Sequence, residues 1–141
     1  MPLSDKLKAM FKSAWDDGYP FLLATAGPGG PHIGPKGSMI VYDDNHLAYL
    51  ERTKGAILDD LRRDNRVCVL YANLPAQRAG QLDSGYLRFY GTAELHESGP
   101  VRDRIFSMLH KREQDHAGAD TGIGVLITIT HAADLRGKPI L

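Results

Sequence analysis

The segment from Gly85 to His96 limits the possible folds more than any other part of the chain. Leu87, Phe89, Gly91, Ala93 and Leu95 fall on one face. Tyr86, Arg88, Tyr90, Thr92, Glu94 and His96 fall on the other. Alternation with a period of two over more than ten residues describes a long strand with one face buried. Gly91, near its middle, permits a bend. A long, bent strand belongs to a curved sheet, and the remaining segments supply the other strands.

Leu3 to Trp15 reads as a helix. Leu3, Leu7, Met10, Phe11 and Ala14 recur at helical spacing, Ser4 offers a cap, and Asp17-Gly18 followed by Pro20 stops it. Phe21 to Ala26 is a short apolar run before the turn residues Gly27 to Pro31. A returning strand is expected from His32 through Tyr42, interrupted by Gly34, Pro35 and Gly37. Asp43-Asp44-Asn45 is a turn signal, and His46 to Glu51 is the third strand. The spacing predicts a second helix over Thr53 to Arg63. Its cap is Thr53, its apolar stripe is Ile57, Leu58 and Leu61, and Asp59 pairs with Arg63. A buried strand follows at Val67 to Ala72, then a loop from Asn73 to Ser84. After the long strand, Ser98 and Pro100 open a third helix with Val101, Ile105, Met108 and Leu109 facing inward. His110 to Thr121 reads as polar loop, and Ile123 to Thr130 as a last alternating strand.

Six strands and three helices are therefore expected. Short turns between consecutive strands make the sheet largely antiparallel, and curvature glycines favour closure into a barrel. The fold class is mainly β with flanking helices, a six-stranded antiparallel barrel. A chain of 141 residues with 43% hydrophobic residues supports one core, hence a single domain over 1–141. Seventeen basic and seventeen acidic residues cancel, so neither a nucleic-acid nor a membrane partner is expected. Cys68 is the only cysteine and lies in an apolar run, so it reads as a buried structural thiol without a disulfide. Asp5, Lys6 and Lys8 charge the first residues, no signal peptide is evident, and no apolar run approaches ~20 residues. A reducing cytoplasm is the expected setting.

Two stretches carry chemistry. One is Gly34-Pro35-Lys36-Gly37-Ser38-Met39, inside a strand. The other is Glu51-Arg52-Thr53-Lys54-Gly55, where a strand gives way to a helix. A helix amino terminus presents unpaired N–H groups and attracts anions. Arg52, Thr53 and Lys54 add two cations and a hydroxyl there, and Lys36 and Ser38 reach the same place if the Asp43–Asn45 turn sets the register. Gly34 and Gly37 let a flat ring approach the backbone. The plainer reading, solvated cations beside an ordinary helix start, remains open on spacing alone.

Residues 34–69 resemble the pyridoxamine 5′-phosphate oxidase-like superfamily, the FMN-binding split barrels. The matching stretches are Pro31 to Met39, Tyr42-Asp43-Asp44, Leu47 to Thr53 and Leu61 to Val67. Leu87 to Glu94 resembles the family's long strand, and element order agrees from about residue 4 to 130. The resemblance implies a split barrel, a homodimer, and FMN between the subunits. It places the FMN phosphate on Lys36, Ser38, Arg52, Thr53 and Lys54, and the ring along Pro35 to Met39 and Tyr49 to Glu51. On the long strand, Arg88, Tyr90 and Glu94 form either a ligand surface, with Arg88 as a cofactor-binding residue, or a solvated or dimer-facing strand face. Ala56 departs from the pattern, standing where the family carries a phosphate-binding lysine. No metal is expected, since the six histidines form no ligand pattern. The implied function is a flavin-dependent oxidoreductase acting on a small organic substrate, with Tyr49, Glu51 and Arg88 as acid–base candidates. Two alternatives are a non-catalytic FMN-binding or electron-transfer protein, and a barrel holding haem or a deazaflavin.

Overall fold

The computed structural model describes residues 2–141. Helix α1 spans Asp5–Asp17. It begins where the Ser4 hydroxyl accepts the Leu7 N–H at 3.2 Å and ends at Gly18, whose φ of 78° suits glycine. The face bearing Leu7, Phe11 and Ala14 is buried. Strands β1 (Phe21–Gly27) and β2 (Gly30–Lys36) form a hairpin around Pro28-Gly29. Strands β3 (Ile40–Asp43) and β4 (His46–Glu51) form the next hairpin, around Asp44-Asn45. Then follow α2 (Ala56–Arg63), β5 (Arg66–Ala72), α3 (Leu74–Arg78), β6 (Tyr86–His96), α4 (Pro100–Met108), α5 (Lys111–Gln114) and β7 (Ile123–Asp134).

All strands join one antiparallel sheet in the order β2-β1-β5-β6-β7-β4-β3. The sheet has seven strands because the expected His32–Tyr42 strand divides at Gly37-Ser38-Met39. Its first half pairs with β1 and its second with β4, at opposite edges of the sheet. The hydrogen-bonded ladder therefore does not close. The covalent chain through residues 37–39 bridges the two edges, which makes the barrel a split one.

The long strand behaves as its alternation requires. Leu87, Phe89, Gly91 and Ala93 are buried, and the residues between them are not. At Gly91 the register against β7 shifts, with Tyr90 opposite His131 and Gly91 opposite Ile129. Thr130 is the extra residue of this bulge. A Cβ at Gly91 would collide with the Thr128 carbonyl oxygen, so a bare glycine is needed there.

The core is aromatic at its centre. Phe11 of α1 meets Phe21, Tyr71 and Phe89 edge-on at centroid distances of 5.1, 4.7 and 5.3 Å. Helix α1 thus packs into the concave side of the sheet. A second cluster, Ile105 and Leu109 against Ala48, Leu50 and Leu126, fixes α4 on the outer side of β4 and β7. With apolar partners on both sides, Ile123 to Ile127 is buried without alternation. Among the described residues, no helix is long and apolar enough to cross a membrane.

Several local expectations change. Helices α3 and α5 occupy segments that read as loop; both are too short to show a helical period. The second helix starts at Ala56, its cap position is Gly55, and Thr53 caps nothing. Arg63 bonds Asp60 at 3.0 Å rather than Asp59, because Asp60 points inward and needs a counter-charge. Cys68 is half-buried on the convex face, since alternation in β5 sends Val67 and Val69 inward instead; burial still raises its thiol pKa.

Replacing Phe89, which is fully buried against Phe11, should be severe. Phe89→Ala is expected to destabilise the fold by ~3–5 kcal/mol, read from the urea denaturation midpoint.

Candidate functional site

The break between β2 and β3 borders a cavity of about 490 Å3, within the ~300–1,000 Å3 range of small-molecule sites. Phe11, Lys12 and Trp15 of α1 form one wall, residues 37–41 the floor, and Leu109 and His110 the far wall. Trp15 lies parallel to the His110 ring, with centroids 4.2 Å apart and planes 9° apart. His110 Nε2 is 3.3 Å from Asp16. A smaller cavity of about 160 Å3, behind Trp15 and Gly37, reaches Lys36.

The chain makes its break at Ser38. The Ser38 hydroxyl accepts the Leu50 N–H at 3.1 Å and donates to the Leu50 carbonyl at 3.3 Å. A side chain thereby supplies the ladder bonds that the interrupted strand lacks. Met39 is buried and lines both cavities.

Lys36 turns toward the barrel interior. Its Nζ lies 3.1 and 3.4 Å from the two carboxylate oxygens of Glu51. The pair is secluded, at 14% and 3% side-chain exposure. The same ammonium is 5.1 Å from the centroid of Tyr49. The Tyr49 hydroxyl is buried with no partner among the described residues. Burial, aided by Glu51, pushes its ionisation well above the usual range, so the phenol stays neutral.

Arg52 is also engaged. Its guanidinium is 3.3 Å from Oε2 of the buried Glu113, outside hydrogen-bonding geometry. Glu113 Oε1 accepts the Trp15 indole N–H at 3.1 Å. A Cβ at Gly37 would stand 3.0 Å from that same oxygen, so glycine admits the carboxylate. Thr53 and Lys54 are exposed on the connection into α2, where Lys54 adopts a φ of 53°. Gly55 leaves the first turn of α2 without a side-chain cap.

The structure therefore gathers Lys36, Gly37, Ser38, Met39, Tyr49 and Glu51, with Arg52 beside them through Glu113. Pro35 and Arg88 lie elsewhere, sharing the convex face in the row Pro35, Leu22, Leu70, Arg88. Arg88 bonds the Tyr90 hydroxyl at 3.3 Å and the Leu135 carbonyl at 3.4 Å. The sequence reading missed Trp15, His110 and Glu113. Trp15 follows Phe11 by four residues, a helical spacing that could have placed it beside Phe11 on the same wall. Glu113 gave no signal, being one carboxylate in a polar segment.

Helix α2 is set by Asp60, which is fully buried. Its carboxylate accepts from Thr25 Oγ1 at 2.8 Å and from Arg63 at 3.0 Å, and His32 Nδ1 stands 2.6 Å away. The His32 contact leads in holding its carboxyl below the usual range, with Thr25 and Arg63 assisting against burial.

A group such as FMN has two ends to satisfy. The cavity beside Gly37 to Met39, walled by Phe11, Trp15 and Leu109, fits a flat ring. Lys36 and Arg52 do not fit the phosphate, because each already faces a buried carboxylate.

An antiparallel sheet whose two edges are halves of one broken strand defines the split-barrel class of protein. A family profile described as pyridoxamine 5′-phosphate oxidase matches residues 6–130, and the chain belongs to that family. A Lactobacillus delbrueckii protein provisionally designated a pyridoxamine 5′-phosphate oxidase shares 26% identity, covering 94% of this chain and 93% of that one, at a TM-score of 0.66. HupZ of Group A Streptococcus shares 23% over 97% of each chain, with a TM-score of 0.72. An FMN-binding protein of Syntrophomonas wolfei shares 13%, covering 92% and 86%, with a TM-score of 0.62. The last two likenesses are ones of fold. None of the curated protein sequences matches this chain at a significant level.

Asp60→Asn should lower the denaturation midpoint at neutral pH. A depressed carboxyl pKa stabilises the fold above the unfolded value of ~3.9. The wild-type advantage should therefore shrink as pH falls below about 4 toward the lowered native value, as measured by urea melts across that window. An advantage unchanged at low pH would exclude the carboxylate as its source.

Proposed function

We propose that the protein is a flavoprotein, with the flavin ring seated in the cavity beside Gly37, Ser38 and Met39. The observation that carries this reading is the cavity itself. It opens where the chain leaves the ladder, and it joins apolar walls to a polar rim of Lys12, Asp16 and His110. Membership of the pyridoxamine 5′-phosphate oxidase family and the likeness to an FMN-binding protein support the same ligand class. FMN is the form the family resemblance implies. A bound flavin supplies electron uptake and release; the chain supplies seating and exclusion of water.

Within that reading, redox of a small organic substrate is the proposed activity. Of the expected acid–base candidates, Tyr49 is buried and neutral, Glu51 is held by Lys36, and Arg88 lies on the other face. That arrangement favours electron transfer without a dedicated acid or base from this trio, so the carrier reading stands beside the enzyme reading.

The convex face supports a homodimer. Ile33 is 68% exposed, on a face that also carries half-buried Leu22, Ala24, Cys68 and Leu70. Covering these side chains with a second copy removes apolar area from water. Arg88 would then face the partner subunit.

Two measurements test this. The protein as purified, or after titration with flavin, should show the absorption of a bound oxidised flavin. A protein that quenches the fluorescence of neither FMN nor riboflavin refutes the reading. Anaerobic NADH or NADPH should bleach the bound flavin if the protein is an enzyme using a nicotinamide donor. For the dimer, Ile33→Asp should shift the sedimentation of the wild type to that of a monomer; an unchanged value would remove this face as the contact.

A further inference from the structure

Of the three cations expected to meet a phosphorylated ligand, the chain itself neutralises two. Lys36 has Glu51 at 3.1 Å, and Arg52 has Glu113 at 3.3 Å. Both carboxylates are secluded, with side-chain exposures of 3% and 11%. Drawing Lys36 out to a phosphate would leave Glu51 as an uncompensated buried charge, which is strongly unfavourable. Leaving Lys36 in place sets the phosphate beside a carboxylate of the same sign. Of the expected cations near the break, only Lys54 is exposed and unpaired among the described residues. An exposed ion pair contributes little in water.

We infer that Glu51 determines ligand specificity at this site by making it indifferent to phosphate. The ring carries recognition, and unphosphorylated flavins of the riboflavin class bind about as well as FMN. The inference rests on the flavoprotein reading and refines it.

Glu51→Gln preserves the shape and hydrogen-bonding capacity of the side chain while removing its charge. Lys36, which borders the smaller cavity next to Gly37 and Met39, then carries an uncompensated ammonium. A charge-assisted hydrogen bond to phosphate becomes available, enough for about a tenfold or larger gain in affinity. Riboflavin, lacking the phosphate, gains nothing from the same change.

The test is fluorescence-quenching titration of the full-length chain with FMN and with riboflavin, at one fixed ionic strength. In the wild type the two dissociation constants should agree within tenfold. In Glu51→Gln the FMN preference should widen by about tenfold or more. In the double variant Lys36→Gln, Glu51→Gln it should return to the wild-type ratio. A wild-type preference for FMN of tenfold or more overturns the inference, and this measurement needs no variant to fold. An unwidened ratio in a folded Glu51→Gln protein overturns the role of Glu51. Binding of neither flavin to the wild type refutes the flavoprotein reading and this inference together, an outcome distinct from tight, phosphate-dependent binding.

Discussion

The double hydrogen bond between the Ser38 hydroxyl and the backbone of Leu50 is the contact on which the site depends. It holds the chain at the point where one strand becomes two. On one side of it the backbone runs along β1, and on the other along β4, at the far edge of the sheet. Without a partner there, an interrupted strand would bury unsatisfied peptide groups. With it, the interruption becomes a stable opening. Trp15 and Phe11 wall that opening, because α1 packs its aromatic residues into the concave side of the sheet.

Electrostatics at the opening is arranged from within. Lys36, Glu51 and the Tyr49 ring form one compact group at the end of the barrel interior. Arg52, Glu113 and the Trp15 indole form a second, which ties the segment after α4 back onto α1. Replacing such buried pairs by apolar residues is often neutral for stability, so their presence argues more for positioning than for strength. Here they place a carboxylate beside two of the three cations expected to meet a phosphate, Lys36 and Arg52. Asp60 completes the pattern, gathering Thr25, His32 and Arg63 to fix α2 against the first hairpin.

Much of this was legible in the residues. Alternation in β6 identified the long strand, its buried face and the bend at Gly91. Ser4 and Gly18 marked both ends of α1, because capping acts through neighbours three or four residues away. The exceptions were short or non-local. Helix α5 is four residues long, below the length at which a period shows. The Thr53 cap failed because Gly55 begins the helix, a two-residue displacement that local propensity does not resolve. Glu113 meets Trp15 across 98 residues of sequence, and nothing in its own neighbourhood announces that contact.

The amino-acid sequence by itself determined the class of fold, the family, and the presence of cations, hydroxyls and glycines on either side of the strand break. The fold class follows from periodicity and from turn and cap chemistry, which act over a few residues; the family follows from the resemblance carried by residues 31–67 and 87–94. Only the tertiary structure decided that Lys36 and Arg52 face Glu51 and Glu113, that Arg88 lies on the opposite face, and that a cavity opens beside Ser38. Charge compensation and cavity shape depend on which distant segments the closed core brings within a few ångströms, and no local pattern encodes that distance.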